Sequence, residues 1–145
     1  MTIRDIKAAI NAVIVANGGT VWSTETDEGF IRPAYFVEVV PVKTTRITPV
    51  YDECELSVEI HYEPLIETES QCLRVADLID QWFSEPIILN EERVIKPPDE
   101  ISHTIEDGIV LYSDFNITIT KIHNESIYQP SPSDPYMEIL DLNNI

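Results

Sequence analysis

Ile3, Ile6, Ile10 and Val13 recur at spacings of three, four and three. On a 3.6-residue period they share one face and predict an amphipathic helix over residues 3–16. Thr2 and Asp5 stand three apart at its start, where hydroxyl and carboxylate can satisfy each other's free N–H groups, and Gly18-Gly19 ends it. A short strand is expected at 20–24, followed by the polar run Glu25 to Gly29. Tyr35, Val37 and Val39 then alternate with Phe36, Glu38 and Val40, the pattern of a well-buried strand. Pro41 has no N–H for a ladder and confines the end of this strand to an edge or a bulge. The basic stretch Lys43-Thr44-Thr45-Arg46 is expected as an extended hairpin or projecting loop.

From Asp52 to Glu63 the alternation is the clearest in the chain. Cys54, Leu56, Val58, Ile60 and Tyr62 share one face; Glu53, Glu55, Ser57, Glu59, His61 and Glu63 share the other, which is expected to be wet. Pro64 closes the strand, and Thr68 with Gln71 forms a capping-box signature for a second helix. Its apolar stripe is Cys72, Val75, Ala76, Ile79, Trp82 and Phe83, which places Trp82 in the core. Pro86 stops it. An apolar run at 87–89 and the Pro97-Pro98 break lead to a hairpin of Ile101, His103 and Ile105 against Ile109, Leu111, Phe115, Ile117 and Ile119. Asp107-Gly108 is expected there as a two-residue type I′ turn. Past His123 the run Gln129-Pro130-Ser131-Pro132-Ser133-Asp134-Pro135 is too rich in proline to join a sheet, and residues 124–145 read as an extended C-terminal arm. Strands and helices do not alternate as a doubly wound sheet requires. The expected fold is therefore α+β: one domain over residues 1–123, a mostly antiparallel sheet with two helices packed on one face, and the Glu53/Glu55/Glu59/Glu63 side exposed.

Charge sharpens this picture. With 9 Lys and Arg against 26 Asp and Glu, the 145 residues carry a net charge of −17. Residues 1–50 hold five of each sign, so the excess lies entirely beyond them. Such a chain is a poor direct ligand for nucleic acid or an anionic membrane, because phosphate binding is driven by Lys and Arg displacing counterions. No run of about 18 apolar residues is present to span a bilayer, and the first residues do not read as a signal peptide, so synthesis in the cytoplasm is expected. In a reducing compartment Cys54 and Cys72, each at an apolar position, are expected as buried free thiols. The sequons at Asn116 and Asn124 then carry no weight.

Catalytic templates fail one by one. Four glycines in all leave no phosphate-cradling loop. No Ser, Cys or His sits in a nucleophile motif, and buried thiols would be quenched. Glu59, His61 and Glu63 lie at alternate positions about 7 Å apart, too wide to share one ion unaided. Paired carboxylates such as Glu91-Glu92 fall on polar faces. No catalytic residue, cofactor or metal is expected; the features are those of a protein that touches other proteins.

Three segments in order resemble the bacteriophage tail terminator family of Firmicute phages and tailocins. They are Gly29-Phe30-Ile31-Arg32-Pro33-Ala34-Tyr35-Phe36-Val37, Leu56 to Pro64 with its closing Tyr62 and Pro64, and Asp107-Gly108-Ile109-Val110-Leu111-Tyr112-Ser113-Asp114-Phe115. The resemblance covers roughly residues 1–122. It implies a non-catalytic subunit of the virion tail that forms a hexameric ring at the head-proximal end of the tail tube. There it would stop tube growth and meet a neck or connector protein, with DNA passing through unbound. The residues suggest Lys43, Thr44, Thr45 and Arg46 as protein-interface candidates, and Glu53, Glu55, Glu59 and Glu63 as an acidic lining of the passage. The competing readings are a head–tail connector or tail-completion protein, an acidic DNA mimic, and an enzyme whose site forms only in three dimensions.

Overall fold

The computed structural model describes residues 2–23, 29–90 and 93–122. In chain order the elements are α1 (Ile3–Ala16), β1 (Val21–Trp22), β2 (Ala34–Arg46), β3 (Tyr51–Glu63), α2 (Glu69–Trp82), β4 (Ile87–Ile88), β5 (Val94–Ile95), β6 (Ser102–Glu106) and β7 (Val110–Ile122). Five strands form one sheet in the order β1-β2-β3-β7-β6. Every neighbouring pair is antiparallel except β1–β2. The two helices pack on one side of it, α1 over β1 and β2 and α2 over β6 and β7, which makes the fold α+β. The expected C-terminal arm at 124–145 lies outside the described residues, as does residue 24 of the expected first strand.

Helix α1 begins with both halves of the expected box: the Asp5 N–H donates to Thr2 Oγ1 at 3.2 Å and the Thr2 N–H donates to Asp5 Oδ2 at 2.8 Å. The bond from the Thr2 backbone holds the Asp5 carboxyl below its ordinary range. The helix ends in a Schellman motif. The Gly19 N–H donates to the Ile14 carbonyl and the Gly18 N–H to that of Val15, with Gly18 at φ 91°. Gly19 is required for a second reason: a Cβ there would lie 2.5 Å from Ile14 Cγ2 and 2.9 Å from Tyr35 Cε1. Ile6, Ile10 and Ile14 are fully buried, in one core with Val37 of β2 and Leu56, Val58 and Ile60 of β3.

Helix α2 completes half of its box. Thr68 Oγ1 accepts the Gln71 N–H at 3.3 Å, but the Gln71 side-chain oxygen is engaged by the Arg74 guanidinium at 3.3 and 3.4 Å. Cys72, Val75, Ala76 and Ile79 are buried as the stripe requires. Trp82 differs from expectation: it is only partly buried, at the edge of the core, because the helix ends there and Phe83 takes the inward position. The link after α2 also forms a structure that periodicity did not announce, the small β4–β5 hairpin, whose paired Ile87 and Ile95 close one end of the core.

The Asp107-Gly108 turn needs correction. Both residues have positive φ, 55° and 71°, and the Ile109 N–H closes the turn on the Glu106 carbonyl, as a type I′ turn demands. The ladder nevertheless resumes with Val110 opposite Glu106. Ile109 is an extra residue and the loop has three, a register that sends Leu111, Ser113, Phe115, Ile117 and Ile119 to the helix side.

Candidate protein interface

The central strands β2, β3 and β7 each run thirteen residues, whereas their outer neighbours are short. β1 pairs with β2 only at Tyr35 and Phe36, and β6 pairs with β7 only from Val110 to Asp114. The far halves of β2, β3 and β7 therefore extend as a three-stranded blade. Among the described residues, neither outer edge of that blade has a ladder partner. Val42, Ile47 and Val50 near its tip are each about half exposed, as is Tyr51.

The basic stretch lies in this blade, and it is strand rather than loop: Lys43, Thr44, Thr45 and Arg46 pair with Glu55, Cys54, Glu53 and Asp52. The bulge foreseen at Pro41 falls between Pro41 and Lys43. Before it Val37, Val39 and Pro41 oppose the core-facing Ile60, Val58 and Leu56; after it the even-numbered Thr44 and Arg46 take the core side. Lys43 and Thr45 thus share the acidic face, while Thr44 and Arg46 do not. Lys43 Nζ lies 3.7 Å from Glu55 Oε2 and Arg46 Nε 3.7 Å from Asp52 Oδ1. Both bases stay about two-thirds exposed.

The face away from the helices is ordered in rows across the strands. Phe36, His61 and Tyr112 form an aromatic row, with the His61 ring stacked on Tyr112 at 4.7 Å and 22°. Burial depresses the His61 pKa, against the opposing pull of Glu63 and Glu106. The next row is acidic: Glu38, Glu59 and Asp114 stand directly opposite one another. Burial, and then the charges of Asp114 and Glu38, push the Glu59 pKa up. The expectation of a uniformly wet acidic face is corrected here. Glu53 is exposed, but Glu55 and Glu63 are 30% and 16% exposed because neighbouring side chains cover them, and Glu63 accepts from Arg32 Nη2 at 2.9 Å. Among the described residues no group of three His, Cys, Asp or Glu side chains is placed to hold a metal ion.

One constellation escaped the sequence reading. His103 of β6 lies between Asp80 of α2, with Nε2 to Oδ1 at 2.7 Å, and Ser113 of β7, with Nδ1 to Oγ at 2.8 Å. The residue types are those of a catalytic triad, yet Ser113 is completely buried, so no substrate carbonyl can approach its hydroxyl. What the trio does is tie α2 to the β6–β7 hairpin. No local pattern signals it, since its members are 23 and 10 residues apart. Both cysteines are buried free thiols, and burial pushes the Cys72 pKa up.

A second unanticipated feature is a groove of about 450 Å³ at the other end of the sheet from the blade tip. Its walls include Trp22, Tyr35, Tyr62 and Trp82, with Arg32 and Arg74 at hand. Burial, reinforced by Tyr62, pushes the Tyr35 hydroxyl up to about 12, so it remains neutral. The Trp22 indole N–H is buried and has no acceptor among the described residues.

Comparison with known proteins bears on these surfaces. The model of a family described as phage tail terminator protein matches residues 5–129. No curated protein matches this chain. One solved structure, which carries no functional description, superposes with a TM-score of 0.49 at 15% identity, over 90% of this chain and 99% of that one.

Proposed function

The chain belongs to the phage tail terminator family, and from that premise we propose that it caps the head-proximal end of the tail tube as a ring, ends tube growth and offers its far side to the neck. It is a structural component of the virion tail. The observation that carries the ring is the blade, both of whose outer edges lack a ladder partner among the described residues: β2 from Val37 to Arg46, and β7 beyond Asp114. An open edge on each side lets one copy add to the next by strand pairing, and head-to-tail addition closes into a ring when the rotation allows. The half-exposed Val42, Ile47 and Val50 supply apolar area for such contacts. Lys43 and Arg46 border it with charge that an acidic neighbour can meet, and Thr44 and Thr45 lie between them. A ring of six is the number that the family resemblance implies.

In this reading Glu53, Glu55, Glu59 and Glu63 face the passage and keep it from holding DNA, since a carboxylate surface repels phosphates. The work is surface complementarity, with no substrate transformed. Deleting the protein from a phage or tailocin that carries it and measuring tail lengths by electron microscopy tests the reading directly. Tubes of unregulated length are expected, and tails of normal, uniform length would refute it.

A further inference from the structure

The aromatic groove and the Pro-rich end of the chain complement each other. Proline-rich segments in the polyproline II conformation dock in aromatic-lined grooves, with little conformational entropy to lose. The groove provides the partly exposed Trp22 and Trp82, beside the buried Tyr35 and Tyr62. The sequence provides Pro132-Ser133-Asp134-Pro135, a Pro-x-x-Pro segment followed by Tyr136. Charge agrees. In a chain of net charge −17 the groove is lined by two arginines and no carboxylate, whereas residues 124–145 carry Glu125, Asp134, Glu138 and Asp141 and no Lys or Arg.

We propose that the Pro132–Pro135 segment of one copy docks in the Trp22/Trp82 groove of a second copy, with its prolines against the two indole rings and Arg74 facing Asp134. Reach selects a second copy. Ile122 pairs with Tyr51, and the groove residue Tyr62 lies eleven residues further along the same strand, about 36 Å at a strand's rise. Pro132 is ten residues past Ile122, which gives about 31 Å in polyproline II and about 35 Å when fully extended. The chain would have to run straight back along its own sheet with no slack, while a neighbouring copy imposes no such constraint. The proposal stands apart from the tube-capping reading, because it needs only two copies and no tube.

The chain's two tryptophans both line the groove, so their indole N–H resonances report on it alone. The test follows these resonances in the full-length ¹⁵N-labelled protein from millimolar to micromolar concentration, with light-scattering mass measured in parallel. Pro132→Ala/Pro135→Ala, which leaves every described residue in place, is compared with the wild type. The expected result is a Trp22 signal that moves on dilution as the mass falls to that of a monomer. In the variant that signal sits at the dilute position throughout, and self-association is at least about tenfold weaker. Coincident spectra for wild type and proline variant at every concentration would overturn the proposal. So would a wild-type monomer whose indole signals differ from the variant's yet ignore dilution, since the arm would then occupy its own groove.

Discussion

Glu59 is held where its charge is least welcome, half-buried between Glu38 and Asp114 in a single row of the sheet. Its pKa is raised above 4.5 in the folded protein, so the folded state binds this proton more tightly than the unfolded chain does. The associated stability is present at low pH and is lost as pH rises through the window above 4.5. Glu59→Gln is therefore expected to stabilise the protein at pH 7 by about 0.5 kcal/mol, a value set by cross-strand like-charge pairs and reduced by solvent screening. The gain should vanish near pH 4, and thermal melts at the two pH values measure it. His61 works in the opposite sense. Its depressed pKa means the unfolded chain takes the proton first, so stability is lost as pH falls below 6.5. His61→Phe, which keeps the stack on Tyr112, is expected to flatten the melting temperature between pH 6.5 and pH 5 relative to the wild type.

At the scale of elements, two joints hold the helices to the sheet. At the α1–β2 joint, Gly19→Ala would push a methyl group into Ile14 and Tyr35, and a loss of about 1–3 kcal/mol is expected in denaturant unfolding. At the α2 joint, His103→Leu would leave the buried Ser113 hydroxyl without its partner, at a cost of about 1–3 kcal/mol. Adding Ser113→Ala should recover part of it, and a double-mutant cycle that comes out strictly additive would remove the trio's structural role. These joints also mark the limit of what the sequence discloses. The stripe of α1, the alternation of β3 and the breaks at Pro64 and Pro86 are legible because each is a local period or a backbone constraint. The Asp80–His103–Ser113 tie and the aromatic groove are assembled from segments far apart in the chain, so no window contains them. Gln71 shows a subtler loss: its spacing to Thr68 is right for a cap, but Arg74, one turn on, competes for the same oxygen. The positive φ of Asp107 and Gly108 could be foreseen, yet the extra Ile109 could not, because it reflects how β6 must meet β7.

For the whole molecule, the division of labour is spatial. The helices, β6 and the small β4–β5 hairpin bury one end and one face of the sheet, and the blade carries the surfaces assigned to assembly. If the acidic face lines a passage, replacing Glu53 and Glu59 with Lys should give the assembled particle DNA binding that weakens linearly in log affinity against log salt. Filter binding at several salt concentrations reads this directly, and DNA binding unchanged from the wild type would count against the lining.

The extra residue at Val42 has a consequence of its own. It stands between Pro41 and Lys43 with no residue opposite it, and such an insertion bends the strand and increases its twist. Removing that one residue would leave Lys43 opposite Glu55 and Thr44 opposite Cys54 in an unbroken ladder, so each side of the tip would keep its side chains while the bend was lost. A single-codon deletion would in this way re-aim the tip toward a neighbour without changing the core or the side chains that either surface presents.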